Sequence, residues 1–319
     1  MGCDTVGQNA PRVAILSVPS SFDPVPIPSH NPLTEEKVEL GRRLFFDVRL
    51  SEDRTVSCAS CHIPTLAFSD PRPLSFGVHG RLGIRNSPSL VNAAYLKLLF
   101  WDGGAFTLES QALGPLENPV EMNMNLGELL DRIQQDSSYV EEFQDVFNQS
   151  PDLKTVTQAL ATFQRTIRSG GSRFDSFIDG NTSALSEQEE RGMALFSGKA
   201  KCATCHSGPL FTDQEFKNNG LAFTTSDSGR ARITLDPNDF AQFKTPSLRN
   251  IELTAPFMHD GRFRNLDEVL EHYDAGGTGS RGQDADIKPL SLSTNEKEDL
   301  ISFLKSLTDE KILTGLDHD

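Results

Sequence analysis

Residues 58–62 read Cys-Ala-Ser-Cys-His and residues 202–206 read Cys-Ala-Thr-Cys-His, and the fold turns on whether these pentapeptides are one motif used twice. The segments before them are alike. TEEKVELGRRLFFD (34–47) has a Thr cap, early carboxylates and apolar residues at helical spacing, and SEQEERGMALF (186–196) has a Ser186/Glu189 capping box; both contain G-x-x-L-F. The segments after them are alike too, with F-S-D at 68–70 and F-T-D at 211–213. Beyond these, a shift of 158 residues lays Pro88, Ser89, Leu90, Asn92, Asp102, Gly103 and Leu108 on Pro246, Ser247, Leu248, Asn250, Asp260, Gly261 and Leu266 without a gap. A period this long points to two copies of one domain rather than a solenoid, whose repeats run roughly 20–50 residues.

The pattern divides the chain into a Pro-rich extended arm or tether (1–34), a first domain (35–170) and a second (171–319), with the seam in the Gly-, Ser- and Asp-rich stretch 168–183. A last helix is expected over 293–307, opened by a Ser293/Glu296 box and carrying Leu300, Ile301, Phe303, Leu304 and Leu307 on one face. No long alternating pattern marks a strand, so the fold class is mostly α, with two helical domains related by internal duplication.

C-x-x-C-H is the attachment signature of c-type haem: the two thiols form thioethers and the histidine becomes the proximal iron ligand. Structural zinc would pair its C-x-x-C knuckles roughly 15–20 residues apart; these lie 144 apart, each with its own histidine. The expected cofactors are two covalently bound c-type haems, on Cys58, Cys61 and His62 and on Cys202, Cys205 and His206. Covalent haem implies export from the cytoplasm, hence a bacterial periplasmic setting.

The remaining cysteine, Cys3, follows Gly2. Val6 breaks the myristoylation pattern, and two readings stay open, a lipoprotein-type acylated cysteine tethering the chain to a membrane and a free thiol on a tail. VAILSV (13–18) is too short for a signal h-region and no apolar run is long enough to span a bilayer, so any export signal is expected to have been removed. With 30 Lys+Arg against 45 Asp+Glu, a net charge of -15 disfavours nucleic acid and anionic membranes as partners.

The sixth iron position separates electron transfer from reaction with peroxide. The 158 offset sets Tyr273, in EHYDAGG (271–277), opposite Pro115, and His272 opposite Gly114. A proline cannot ligate iron, so the offset predicts an open first haem and a tyrosine-ligated second one. Neighbours on a helix point about 100° apart, so at most one of His272 and Tyr273 faces the metal. Met258 falls opposite Phe100 and reads as packing; Met122 and Met124 read as polar-loop residues rather than ligands, and His79 as a surface histidine.

At this point the chain resembles the bacterial dihaem cytochrome c peroxidase and MauG family. The resemblance spans roughly 35–308 and rests on LGRRLFFDVRLSEDRTVSCASCH, RNSPSLVNAAYLKLLFWDGGAFTLESQALGPLENPVEM, KCATCH and TPSLRNIELTAPFMHDGRFRNLDEVLEHYDAGG. It implies a first haem that meets hydrogen peroxide and a second that stores or passes on oxidising equivalents. The peroxidase branch has methionine at the distal position of the second haem; Tyr273 stands there, as in the MauG branch, where both irons share the equivalents before aromatic residues of a partner protein are oxidised. The resemblance further implies that Trp101 passes charge between the haems, that Glu121 shuttles a proton at the peroxide site with Gln111 and Pro115 completing its wall, and that Asn86, Thr254 and Pro256 hold a calcium ion. His259, opposite Trp101, is expected to hydrogen-bond near the second haem. Conversion of a partner tryptophan to kynurenine and maturation of a tryptophan-derived quinone both suit the branch. The alternative is a peroxide-scavenging peroxidase fed by a small redox protein.

Overall fold

The computed structural model describes residues 12, 14, 19–221 and 226–314, so Cys3 lies outside the described residues. Ten helices account for most of the regular structure in them: α1 (Glu35–Phe46), α2 (Leu108–Glu117), α3 (Leu126–Gln134), α4 (Ser137–Phe147), α5 (Leu153–Thr166), α6 (Arg173–Ile178), α7 (Glu187–Ser197), α8 (Ala231–Thr234), α9 (Leu266–Asp274) and α10 (Thr294–Lys305). Two antiparallel two-residue strands, β1 (Phe216–Lys217) and β2 (Phe243–Lys244), form the only sheet among the described residues. No described helix is long and apolar enough to cross a membrane.

The predicted caps form. Thr34 accepts from the Lys37 N–H at the start of α1, and the Ser186/Glu189 and Ser293/Glu296 boxes open α7 and α10. These helices then pair in the same way twice. α1 crosses α5 at Gly41, where a Cβ would overlap the Ala159 carbonyl oxygen and Phe163; α7 crosses α10 at Gly192, where it would overlap the Asp299 carbonyl oxygen and Phe303. Glycine permits the close approach, and the phenylalanine after each crossing fills the core beside it. Phe163 packs with Phe45 in one cluster, and Phe303 with Phe196 and Phe211 in the other. Each buried Phe or Leu contributes roughly 1.5–3 kcal/mol of transfer free energy.

The P-S-L-x-N repeat has a physical reason in both copies. Ser89 Oγ donates to the Ala67 carbonyl and Ser247 Oγ to the Leu210 carbonyl, each tying the segment to the loop behind a C-x-x-C-H turn. Asn92 and Asn250 have φ of 61° and 58°, in the left-handed region that asparagine tolerates. Their backbone N–H groups donate to Ile167 and Leu307, the residues that follow α5 and α10.

Two features differ from the sequence reading, and the seam gains a helix. The arm's end is not outside the core: Val25, Asn31 and Leu33 are buried, because Asn31 finds partners in Glu109 Oε1 (2.8 Å) and the Gln158 carbonyl (3.0 Å) while Leu33 joins the α1/α5 cluster. The seam stretch 168–183 carries α6, whose buried Asp175 grips Arg249 bidentately at 2.7 and 2.8 Å. Met122 and Met124 are buried in the first core, because their N–H groups donate to Pro115 and Leu116 and fold the loop back along α2.

Candidate active site

Each C-x-x-C-H motif forms one 3-10 turn, Cys58–Ser60 and Cys202–Thr204, with the histidine N–H donating to the first cysteine's carbonyl, at 3.0 Å for His62 and 2.9 Å for His206. The four thiols are unbridged. Burial pushes Cys58 and Cys202 up to about 12, which keeps them as thiols. The aspartates of F-S-D and F-T-D set the next turn alike, Asp70 accepting from the Arg72 N–H and Asp213 from the Glu215 N–H, both at 2.9 Å. In the first copy Arg72 also donates to the Ser60 carbonyl at 3.0 Å, bracing the motif from behind.

The histidines are prepared as ligands. His62 Nδ1 lies 3.0 Å from the Phe68 carbonyl and His206 Nδ1 3.0 Å from the Phe211 carbonyl, with the carbonyls of Pro88 and Pro246 as further acceptors. A carbonyl only accepts, so Nδ1 carries the hydrogen in both rings and Nε2 keeps its lone pair, the tautomer a metal needs. Burial holds both rings below the ordinary histidine range and therefore neutral. Two thiols and a neutral imidazole on one short turn, twice, fit two c-type haems.

The repeat also positions the distal candidates. α2 and α9 start at equivalent residues, capped by Thr107 and Asn265, so Pro115 and Tyr273 occupy the same place in their helices. Tyr273 is close enough to Cys202 and Cys205 for thiolate charge there to oppose its ionisation, and with burial as the larger cause its hydroxyl is pushed up to about 12. Its oxygen accepts a hydrogen bond from Asn219 Nδ2 at 3.1 Å. The same amide nitrogen lies 3.4 Å from Met258 Sδ, so the methionine read as packing shares a polar contact with the tyrosine. His272 points elsewhere, its Nε2 lying 2.9 Å from the Asn219 carbonyl.

Glu121 lies near enough to the first motif for its charge to act on both Cys58 and Cys61. Burial raises its carboxyl above the usual range, opposed by a 2.6 Å hydrogen bond from Asn118. Gln111 and Pro115 are half-buried on α2, and the Pro115 carbonyl accepts from the Met122 N–H next to Glu121. His79 is half-exposed and lies beside Glu52 (3.2 Å) and Asp53 (3.5 Å), as a surface histidine does.

Trp101 lies where the first half meets the second. Its Nε1 donates to the Asn86 carbonyl at 2.8 Å, the Asn86 N–H donates to the His259 carbonyl at 2.7 Å, and its own carbonyl accepts from the Lys244 N–H at 2.8 Å. The contact of the His259 ring is a stack on Phe243, centroids 3.6 Å apart. Next along the chain, the fully buried Asp102 is held by Arg85 at 2.6 Å and Arg232 at 2.5 Å, and Arg85 also grips Asp227. Lys244 is buried with Nζ on the Leu98 carbonyl at 2.7 Å. For a cation, Asn86 spends its side-chain amide on the Arg72 and Pro73 carbonyls and keeps Oδ1; the Thr254 hydroxyl donates to Ile251, and Pro256 follows in the segment that receives the Asn86 N–H. No group of three or more His, Cys, Asp or Glu suited to a metal exists among the described residues.

Sequence reasoning missed Asn219, Arg72, Lys244 and the Arg85/Asp102 cluster. Only Asp102 left a signal, as part of the repeat.

A family model described as di-haem cytochrome c peroxidase matches residues 35–183. The methylamine utilization protein MauG of Methylorubrum extorquens is 40% identical, with 97% of this chain and 89% of that protein aligned. Cytochrome-c peroxidase IdrP1 of a Pseudomonas strain is 37% identical, with 89% and 84% aligned. Among solved structures, a MauG-like protein associated with microbial copper homeostasis superposes with a TM-score of 0.88 at 37% identity, covering 93% of this chain and 96% of that one. The diheme peroxidase BthA from Burkholderia thailandensis E264 gives 0.80 at 25% identity, covering 97% and 93%.

Proposed function

The chain belongs to the dihaem cytochrome c peroxidase and MauG family of haem oxidoreductases acting with peroxide, and from that premise we propose a MauG-like enzyme that uses hydrogen peroxide to oxidise tryptophan or tyrosine of a partner protein. The observation that carries the reading is Tyr273, at the helix position that Pro115 takes in the first half and near enough to the second motif's thiols for their charge to act on it. Haem iron, when bound, supplies the redox chemistry: a hard anionic phenolate favours its oxidised states, where a thioether would favour the reduced one.

The residues divide the work as follows. Cys58, Cys61 and His62 would hold the first haem in the 35–170 half. Cys202, Cys205 and His206 would hold the second in the 171–319 half, with Tyr273 as its distal ligand. Pro115 offers no ligand atom, so the first haem would stay open to peroxide. Glu121, its carboxyl raised by burial, takes a proton from the near peroxide oxygen and returns it to the far one, with Gln111 and Pro115 shaping the wall. Trp101 donates its Nε1 hydrogen to an amide carbonyl, which is no base, so an electron can leave and return through its ring while the proton stays. A calcium ion on Asn86 Oδ1, Thr254 and Pro256 would brace the Trp101 loop. The setting is the bacterial periplasm, with Cys3 as a membrane tether if it is acylated.

A second reading has one observation in its favour: Met258 Sδ reaches the amide that holds Tyr273. A methionine-ligated second haem would make the protein a peroxidase reducing peroxide to water with electrons from a small redox protein. One equivalent of peroxide added to the diferric protein without reductant separates the two. Oxidising power that persists until an aromatic side chain of a partner is supplied fits the first reading; rapid decay, with turnover only on adding a reduced cytochrome, refutes it. Tyr273→Phe must also change the spectrum of the second haem.

A further inference from the structure

We propose that Asn219 is a positioning residue that selects Tyr273 over Met258 as the distal ligand of the second haem; this rests on the reading of Tyr273 as that ligand. The primary amide of asparagine has two N–H donors, and here the two acceptors within reach are the Tyr273 oxygen at 3.1 Å and Met258 Sδ at 3.4 Å. Both are side-chain atoms that could complete an iron's coordination, one hard and one soft, and one amide nitrogen engages both. The effects differ. An oxygen with lone pairs to spare can accept an N–H and still bind a metal, and the hydrogen bond fixes its direction. A thioether is a weak acceptor whose contact with the amide competes with its use as a ligand.

Selection requires a rigid amide, and the backbone supplies it. The Asn219 carbonyl accepts from His272 Nε2 at 2.9 Å, anchoring the residue to the helix that carries Tyr273. On one side Asn218 Oδ1 accepts from the Gly220 N–H at 2.9 Å, and the Asn218 carbonyl accepts from the Asp284 N–H at 2.8 Å. On the other, the Gly220 carbonyl accepts from the Thr278 N–H at 3.0 Å. Gly220 has φ of 71° and a Cβ there would overlap Gln283, so the turn beside Asn219 admits glycine alone without a shift. His272 thus serves the metal site without ligating: it holds the residue that holds the ligand.

The test uses the full-length, haem-loaded protein with Asn219→Leu, which keeps the branched shape and removes both donors. The readouts are the potential of the second haem and the optical and Raman signatures of phenolate and thioether ligation. The expected result is a raised potential and a ratio of thioether- to phenolate-ligated ferrous haem shifted by roughly tenfold or more, the scale of one lost hydrogen bond to a charged group; Met258→Leu in the same chain abolishes the thioether signature. Retention of the wild-type potential and phenolate signature overturns the proposal. So does a changed potential that Met258→Leu does not affect. If the wild type itself lacks a phenolate signature and Tyr273→Phe leaves its spectrum unchanged, the underlying reading has failed instead. Should Asn219→Leu not fold, Asn219→Ala, which is smaller and has no side-chain donor, is read by the same criteria.

Discussion

Replacing Glu121 by Gln should slow the reaction with peroxide while making the protein more stable. The carboxyl is buried, raised by that burial, and compensated by the Asn118 amide at 2.6 Å. Glutamine keeps the carbonyl oxygen that accepts this bond and cannot exchange a proton. Loss of a general acid-base group costs typically ~10²–10⁴ in rate, equivalent to about 3–5 kcal/mol of transition-state stabilisation. Stability moves the other way because a carboxyl raised in the folded state opposes folding once ionised. Its favourable contribution is present below its unfolded pKa and is lost as pH rises through the folded one. Glu121→Gln should therefore gain about 0.5–2 kcal/mol at neutral pH, a gain that vanishes on acidification below the ordinary carboxylate range. Stopped-flow mixing with peroxide and denaturant titrations of the holoprotein at several pH values measure both. An unchanged peroxide rate would falsify the proton-shuttle role, and a variant less stable than wild type at neutral pH would show that the carboxylate is held for structure.

Trp101→Phe keeps an aromatic ring but loses the donor to Asn86; it should leave the peroxide reaction intact and slow oxidation of a partner or donor protein at least tenfold, compared by single-turnover kinetics of both steps. Gly192→Ala should cost about 1–3 kcal/mol through overpacking at the α7/α10 crossing, whereas Gly83→Ala, with nothing closer than ordinary contact, should not; urea titration compares them. Arg249→Met leaves buried Asp175 without its bidentate partner and should destabilise by roughly 3–5 kcal/mol. Lys244, lowered by burial from 10.5 to about 8, favours folding less while it is charged. Lys244→Met should be the more stable protein at neutral pH, with its advantage shrinking as pH rises above about 8.

Legibility followed distance along the chain. The C-x-x-C-H turns, the caps of α1, α7 and α10, and the common start of α2 and α9 are local or fixed by the repeat, so Cys58, Cys202, Pro115 and Tyr273 could be placed from spacing. The offset between the copies grows from 144 at the motifs to 158 at P-S-L, so the second copy has 14 more residues between them. That stretch carries Asn219, Asp227, Arg230 and Arg232, for which the repeat has no counterpart to compare. Asparagine in a polar loop has no periodicity either, and only the fold shows that it lies against Tyr273. Met122 and Met124 were misread for a related reason: the loop around them is polar in sequence, but its hydrogen bonds to α2 turn both thioethers inward.

The glycine crossings also order events in time. Gly41 meets Ala159 and Gly192 meets Asp299, so each crossing joins ends of the chain more than a hundred residues apart, with a C-x-x-C-H motif in the interval. In a chain that emerges N-terminal end first, the first clasp can close once α5 is out, before α7 and α10 follow. The second must wait for α10. Until then the Cys202–Cys205 turn stands on an open frame, within reach of whatever attaches its haem. A few residues lost from the C-terminal end of α10 would thus leave the first clasp whole and keep the second from shutting.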